Sequence, residues 1–285
     1  MSLIRTISRD RVDQLGEGLL WSARDKAVYW TDIIGQRLNR LRLADDRIDS
    51  WAMPEMIGWV IERRDAPGFI AGFQSGIAML TLDPLTVTPL AAPEPDMTGN
   101  RLNDAVADAH GRLWLGTMPI GCDIPSGSLY RFDPDHSVTK IDTGYTVTNG
   151  PAISADGQWL YHTDSPIGRV YRFPLDQDGT VGPREDFIIF DPDWGSPDGM
   201  TVDAVGGLWI AHWGGSCISR FTPAGQRERL IALPASQITN IVFAGDALDR
   251  MFVTSAADGV DEPLGGALFE VAPGVCGLPA QQFAG

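Results

Sequence analysis

Arg112-Leu-Trp-Leu-Gly-Thr, near the middle of the chain, is one of six renderings of a single phrase. The others are Ala27-Val-Tyr-Trp-Thr-Asp, Gly68-Phe-Ile-Ala-Gly-Phe, Gln158-Trp-Leu-Tyr-His-Thr, Gly207-Leu-Trp-Ile-Ala-His and Arg250-Met-Phe-Val-Thr-Ser. Their starts lie 41, 44, 46, 49 and 43 residues apart. A period of about 40–50 residues, written in aromatic and β-branched residues, is the signature of propeller blades. Each phrase is followed by a turn and a second strand: Gln36–Leu43, Gly76–Leu82, Gly127–Asp133, Gly168–Leu175, Ser216–Pro223 and Gly266–Pro273. In five cases a third strand follows, at Arg47–Met53, Thr86–Leu90, Val138–Asp142, Arg184–Phe190 and Arg227–Leu233. A shorter segment precedes each phrase and ends in a turn such as Ser154-Ala-Asp-Gly. The fold expected is all-β, a six-bladed β-propeller with four strands per blade, forming a single domain over residues 1–285.

The sixth repeat is one strand short, and the chain begins with an alternating segment, Leu3–Ser8, that belongs to no repeat of its own. Lending that segment to the last blade would close the ring and cover an exposed sheet edge. The ring is therefore expected to be closed by the N-terminal strand, with Gly274–Gly285 as the alternative source.

Composition narrows the function. The 285 residues are 44% hydrophobic and 21% charged, with 32 glycines and 20 prolines, as suits a turn-rich β protein. A net charge of −15 repels phosphate at long range, so neither nucleic acid nor an anionic membrane is an expected partner. Cys122, Cys217 and Cys276 are odd in number and lack CxxC spacing, which reads as reduced thiols. The N-terminal residues lack a signal-peptide apolar region, and no apolar run approaches the roughly 18 residues of a membrane span. The expected location is the cytoplasm, and the expected state a monomer or weak dimer.

Counting back nine or ten residues from each phrase reaches an equivalent position in the preceding strand: Glu17, Gly58, Asn103, Asn149, Asp198 and Asn240. Five of the six carry a carboxylate or a carboxamide. In a propeller these positions ring one mouth of the central channel, where hard oxygen ligands suit a divalent cation. Asn and Asp also favour turns, and Asn149-Gly150 and Asp198-Gly199 read that way when taken singly. The shared register is what points to a site.

Leu15-Gly-Glu-Gly, Arg101-Leu-Asn-Asp, Gly111-Arg-Leu-Trp-Leu-Gly-Thr-Met, Thr148-Asn-Gly-Pro, Tyr161-His-Thr-Asp-Ser and Ser196-Pro-Asp-Gly-Met together resemble the SMP-30/gluconolactonase/LRE family. Its members include regucalcin and bacterial sugar lactonases, and the likeness runs from about residue 13 to residue 273. The resemblance implies one divalent cation (Ca, Zn, Mg, Mn or Fe(II)) held by Glu17, Asn149 and Asp198. It implies substrate contacts from Arg101 and Asn103, with Asp198 also the catalytic base in hydrolysis of a sugar lactone. Family members often carry an acidic residue just after Gly-Thr-Met. Here that stretch reads Gly116-Thr-Met-Pro-Ile-Gly-Cys-Asp, so the acidic position is lost or shifted to Asp123.

Two other readings stay open: esterase or phosphotriesterase chemistry on the same cation, and a non-enzymatic cation-binding scaffold. No GxSxG occurs, which argues against a serine nucleophile. His162 and His212, in matching strand positions, read as packing histidines on the blade walls. Trp30, Trp114 and Trp209 read as core, while Trp213 beside Gly214-Gly215 is a candidate wall against a sugar ring.

Overall fold

The computed structural model describes residues 4–285. Twenty-four strands form six four-stranded antiparallel sheets, each a blade. In blades 1 to 5 the strands follow chain order from the axis outward. The six quoted phrases are the second strands, such as Ala27–Asp32, Leu113–Pro119 and Leu208–Trp213, and nearly every residue in them is buried. A second strand is covered on both faces by the neighbouring blades, so it reads as an almost continuous apolar run. Outermost strands such as Leu85–Ala91 and Arg227–Ala232 are largely exposed. Observed bounds differ from the expected ones by one to three residues, at the turns. Two single-turn 3₁₀ segments, Ser165–Ile167 and Pro192–Trp194, complete the described structure.

Apolar packing falls into six clusters, one at each junction between blades. Blades 6 and 1 meet through Trp30, Phe252 and Leu268, for example, and blades 3 and 4 through Trp114, Tyr145 and Leu160. Three tryptophans of these junctions donate their indole N–H to buried aspartates: Trp30 to Asp13, Trp114 to Asp108 and Trp209 to Asp203. Arg9, Arg112 and Arg220 bind the same three carboxylates. A buried Trp keeps its polar edge satisfied in this way.

Ile4–Thr6 supplies the outermost strand of blade 6, pairing Ile4 with Val271 and Thr6 with Phe269. The N-terminal segment thus closes the ring as expected, although Leu3 lies outside the described residues. The C-terminal segment does something else. Its backbone bonds to Ala204 and Leu248 at one end and to Glu62, Arg64 and Gly111 at the other, so it crosses the far face from blades 5 and 6 to blades 2 and 3. Phe283, 1% exposed, anchors it by stacking on Phe132 at 5.3 Å. Between this strap and the inner strands lies a cavity of about 450 Å³, lined at the strap by Leu278–Gln281.

Candidate functional site

Every innermost strand breaks its pairing with the second strand at the same level. The register shifts fall between Glu17 and Leu20, Ile57 and Trp59, Leu102 and Ala105, Asn149 and Ala152, Pro197 and Met200, and Ile238 and Ile241. A bulge turns side chains out of the ladder and re-aims them. Here six bulges at one level aim them at the axis. The strands come close enough that a Cβ on Gly18 would lie 2.3 Å from the Gly58 carbonyl oxygen, with Gly18 itself at φ +55°. Only glycine fits such a position.

Two matching devices set the height of the first and fourth blades. The Asp32 carboxylate accepts from the backbone N–H groups of Gln14 and Leu15, just before Glu17. That of Asp164 accepts from Thr146 and Val147, just before Asn149.

The residues so placed are buried and mutually connected. Arg101 donates through Nη1 to Asn103 Oδ1 at 2.6 Å, and Asn103 Nδ2 donates to Asn149 Oδ1 at 2.8 Å. Asn149 gives its own Nδ2 to Ser165 Oγ at 2.9 Å, which turns its carbonyl oxygen toward the channel. On the other side Asn240 Nδ2 donates to Glu17 Oε2 at 2.9 Å and, across the axis, to Asp104 Oδ2 at 3.3 Å. The carboxyls of Glu17 and Asp198 lie within hydrogen-bonding reach of each other, although they come from blades 1 and 5. The structure therefore brings together all five residues singled out in the sequence.

Burial dominates the electrostatics. It pushes the Asp198 and Asp104 carboxyls well above the usual carboxylate range, and the nearby Glu17 charge adds to both shifts. Burial raises Glu17 as well, opposed by the hydrogen bonds from Asn240 and the Gly18 N–H. Burial weakens the hold of Arg101 on its proton, while Glu17 and Asp198 act the other way. Among the described residues no three His, Cys, Asp or Glu side chains form a ready-made metal cage. The donor set is instead mixed: carboxylates of Glu17 and Asp198 with the amide oxygen of Asn149. Oxygen donors left with excess negative charge in a buried site have the chemistry a divalent cation satisfies.

One site residue escapes a count of one position per repeat, and one counted position takes its role only from the structure. Asp104 follows Asn103 inside the same bulge, so both face inward. Asn240, in register but set aside, is the amide that ties Glu17 to Asp104. The histidines lie within the walls: His162 packs edge-on to Tyr145 at 4.9 Å, and His212 Nδ1 bonds the Trp194 carbonyl at 2.7 Å. Burial pulls them down to about 3 and about 4. Trp213 is half-buried at the mouth end of its strand. Cys122 lies within charge range of Arg101, whereas Asp123 is exposed. The three cysteines are free thiols.

The fold and this ring of inward carboxylates and carboxamides define a six-bladed propeller with an acidic, amide-lined channel mouth. Residues 15–257 match the model of the SMP-30/gluconolactonase/LRE-like region. The chain belongs to that family. It is 34% identical over 278 residues to the 6-deoxy-6-sulfogluconolactonase of Pseudomonas putida, covering 95% of each chain. It is 33% identical to the pentonolactonase of Haloferax volcanii, covering 98% of this chain and 97% of that one. The solved structure of a calcium-binding protein, regucalcin, from Agrobacterium tumefaciens superposes with a TM-score of 0.93 at 28% identity, covering 99% and 97% of the two chains. No helix among the described residues is long and apolar enough to cross a membrane.

Proposed function

We propose that the chain acts as one propeller domain that hydrolyses a sugar lactone to the aldonic acid, with Glu17, Asn149 and Asp198 holding a divalent cation at the channel mouth. The observation that carries the reading is the meeting of the Glu17 and Asp198 carboxyls across the channel, beside the buried guanidinium of Arg101. Lactone-hydrolysing relatives and a calcium-binding structural neighbour support it.

When bound, the cation supplies Lewis acidity toward the carbonyl oxygen and a more acidic water. Everything else falls to side chains. Asp198 takes a proton from the attacking water as the new bond to the carbonyl carbon forms. The ring C–O bond then breaks, and its oxygen leaves as a hydroxyl by receiving the proton that Asp198 took, which restores the carboxylate. Arg101, pinned by Asn103, directs N–H groups at the sugar oxygens and prefers the orientation that presents the carbonyl to Asp198. Asn103 couples this arm to the ligand Asn149, so substrate and cation share one hydrogen-bonded frame.

The test is a pH-indicator assay on a panel of aldonolactones, with and without EDTA. Acid release that EDTA abolishes and added cation restores is the expected result. Absence of turnover on every lactone by the cation-loaded protein would refute the activity, and EDTA-insensitive turnover would refute the role of the cation.

A further inference from the structure

A second recess opens at the mouth between blades 2 and 3, with a volume of about 220 Å³, and Arg101 lines it together with Glu55, Gln74, Ser75 and Glu94. Arg101 is 7% exposed, and its hydrogen bonds to Leu102 O and Asn103 Oδ1 both come from Nη1. The rest of a buried, charged guanidinium is left for whatever occupies the recess, and such a group is costly unless a ligand meets it. Through Arg101 the recess adjoins the candidate site, and it offers room for the far end of a substrate held there.

The two carboxylates here are held by neutral donors. Glu94 accepts from Thr117 Oγ1 and Tyr130 OH at 2.9 Å and from Asn100 Nδ2 at 2.8 Å. Glu55 accepts from the backbone N–H of Ser75 at 3.0 Å and from its hydroxyl. Neither forms an ion pair among the described residues, so no side-chain cation is paired with either carboxylate on the recess wall. Carboxylates fixed in this way accept hydrogen bonds from hydroxyls. They repel a second anion, most strongly where the walls keep salt out.

We infer that Glu55 and Glu94 restrict this protein to lactones with an uncharged, hydroxylated tail, excluding those whose tail ends in a carboxylate, sulfonate or phosphate. The inference rests on the lactonase reading and concerns its substrate class.

The experiment compares D-gluconolactone with 6-phosphogluconolactone in the wild type, Glu55→Gln, Glu94→Gln and the double variant. In parallel, calorimetry measures binding of gluconate and 6-phosphogluconate. The wild type should favour the neutral lactone by about tenfold or more in kcat/KM, and the double variant should shrink that ratio by about tenfold. The wild-type ratio should also shrink in about 1 M salt, where the screening length is about 3 Å, a response a purely structural role would not give. Glu55→Gln, held only by Ser75, carries the test if Glu94→Gln fails to fold. Equal kcat/KM for the two lactones, or a ratio unmoved in the variants, overturns the inference. If neither lactone is turned over, the wider aldonolactone panel decides the lactonase reading. The binding ratio then decides this one: gluconate bound more tightly supports it, and equal or absent binding overturns it.

Discussion

Asp198→Asn tests the electrostatic logic of the channel mouth, because its effect should change sign with the cation. In the cation-free protein Asp198 is a buried acid beside Glu17 and Asp104, with its pKa driven up by burial and then by those charges. Asparagine keeps the hydrogen bond that Oδ1 accepts from the Gly199 N–H at 2.9 Å and removes the charge conflict. Replacing a buried, poorly compensated charge by a neutral isostere stabilises by about 1–3 kcal/mol. At about 2–4 °C per kcal/mol for a chain of this size class, the variant in EDTA should melt roughly 2–12 °C above the wild type.

Saturating calcium reverses the order. A ligand at 100 times its Kd adds about 2.7 kcal/mol to the wild type and little to a variant missing one ligand. The pH dependence has a definite sign. A carboxyl whose folded pKa is raised contributes stability at low pH that is lost as pH rises, so the EDTA gap should widen with increasing pH. Differential scanning fluorimetry in EDTA and in calcium chloride reads all three effects. A variant that melts below the wild type in EDTA and still rises with calcium as the wild type does would refute the reasoning.

Arg101→Ala should lower kcat/KM by roughly ten- to a hundredfold, the loss of one charge-assisted hydrogen bond, while cation content by elemental analysis stays near one per chain. Loss of cation would instead make Arg101 part of the cation frame. Phe283→Ala should cost about 3 kcal/mol or more at the strap anchor, beyond what its few backbone bonds withstand. Hydrogen exchange at Phe283, Ala284 and Gly277 should then lose protection while Trp209 and Leu115 keep theirs; unchanged exchange would count against the strap as a separate unit. His162→Gln should flatten the acid side of the stability curve. With a folded pKa of about 3 below an ordinary value of 6.5, the histidine loses stability for the fold as pH falls through that window. The slope is up to about 1.4 kcal/mol per pH unit, and equal slopes of melting temperature in the two proteins would contradict it.

The architecture was legible because second strands are buried on both faces, which forces one apolar phrase into every blade. Register alone found Glu17, Asn103, Asn149 and Asp198, since each lies at the level where the innermost strand leaves its ladder. Asp104 was hidden because a bulge exposes two successive residues to the axis, whereas counting along a regular strand allows only one. Asn240 fell into register without a role, since its partner Asp104 lies on the opposite blade. The strap was invisible for another reason. Gly274–Gly285 has no periodicity, and backbone bonds to four distant loops and one aromatic anchor hold it in place.

The closing strand gives the molecule a front and a back. Ile4 pairs with Val271 at the end of blade 6 remote from the mouth, and Gly285 ends beside Pro134 on that same remote face. The first and last described residues, Ile4 and Gly285, therefore both lie at the back. A tether, a fused partner or a solid support joined at either terminus would hold the protein with its mouth turned to the solution, and several copies strung in tandem would each keep an unobstructed front.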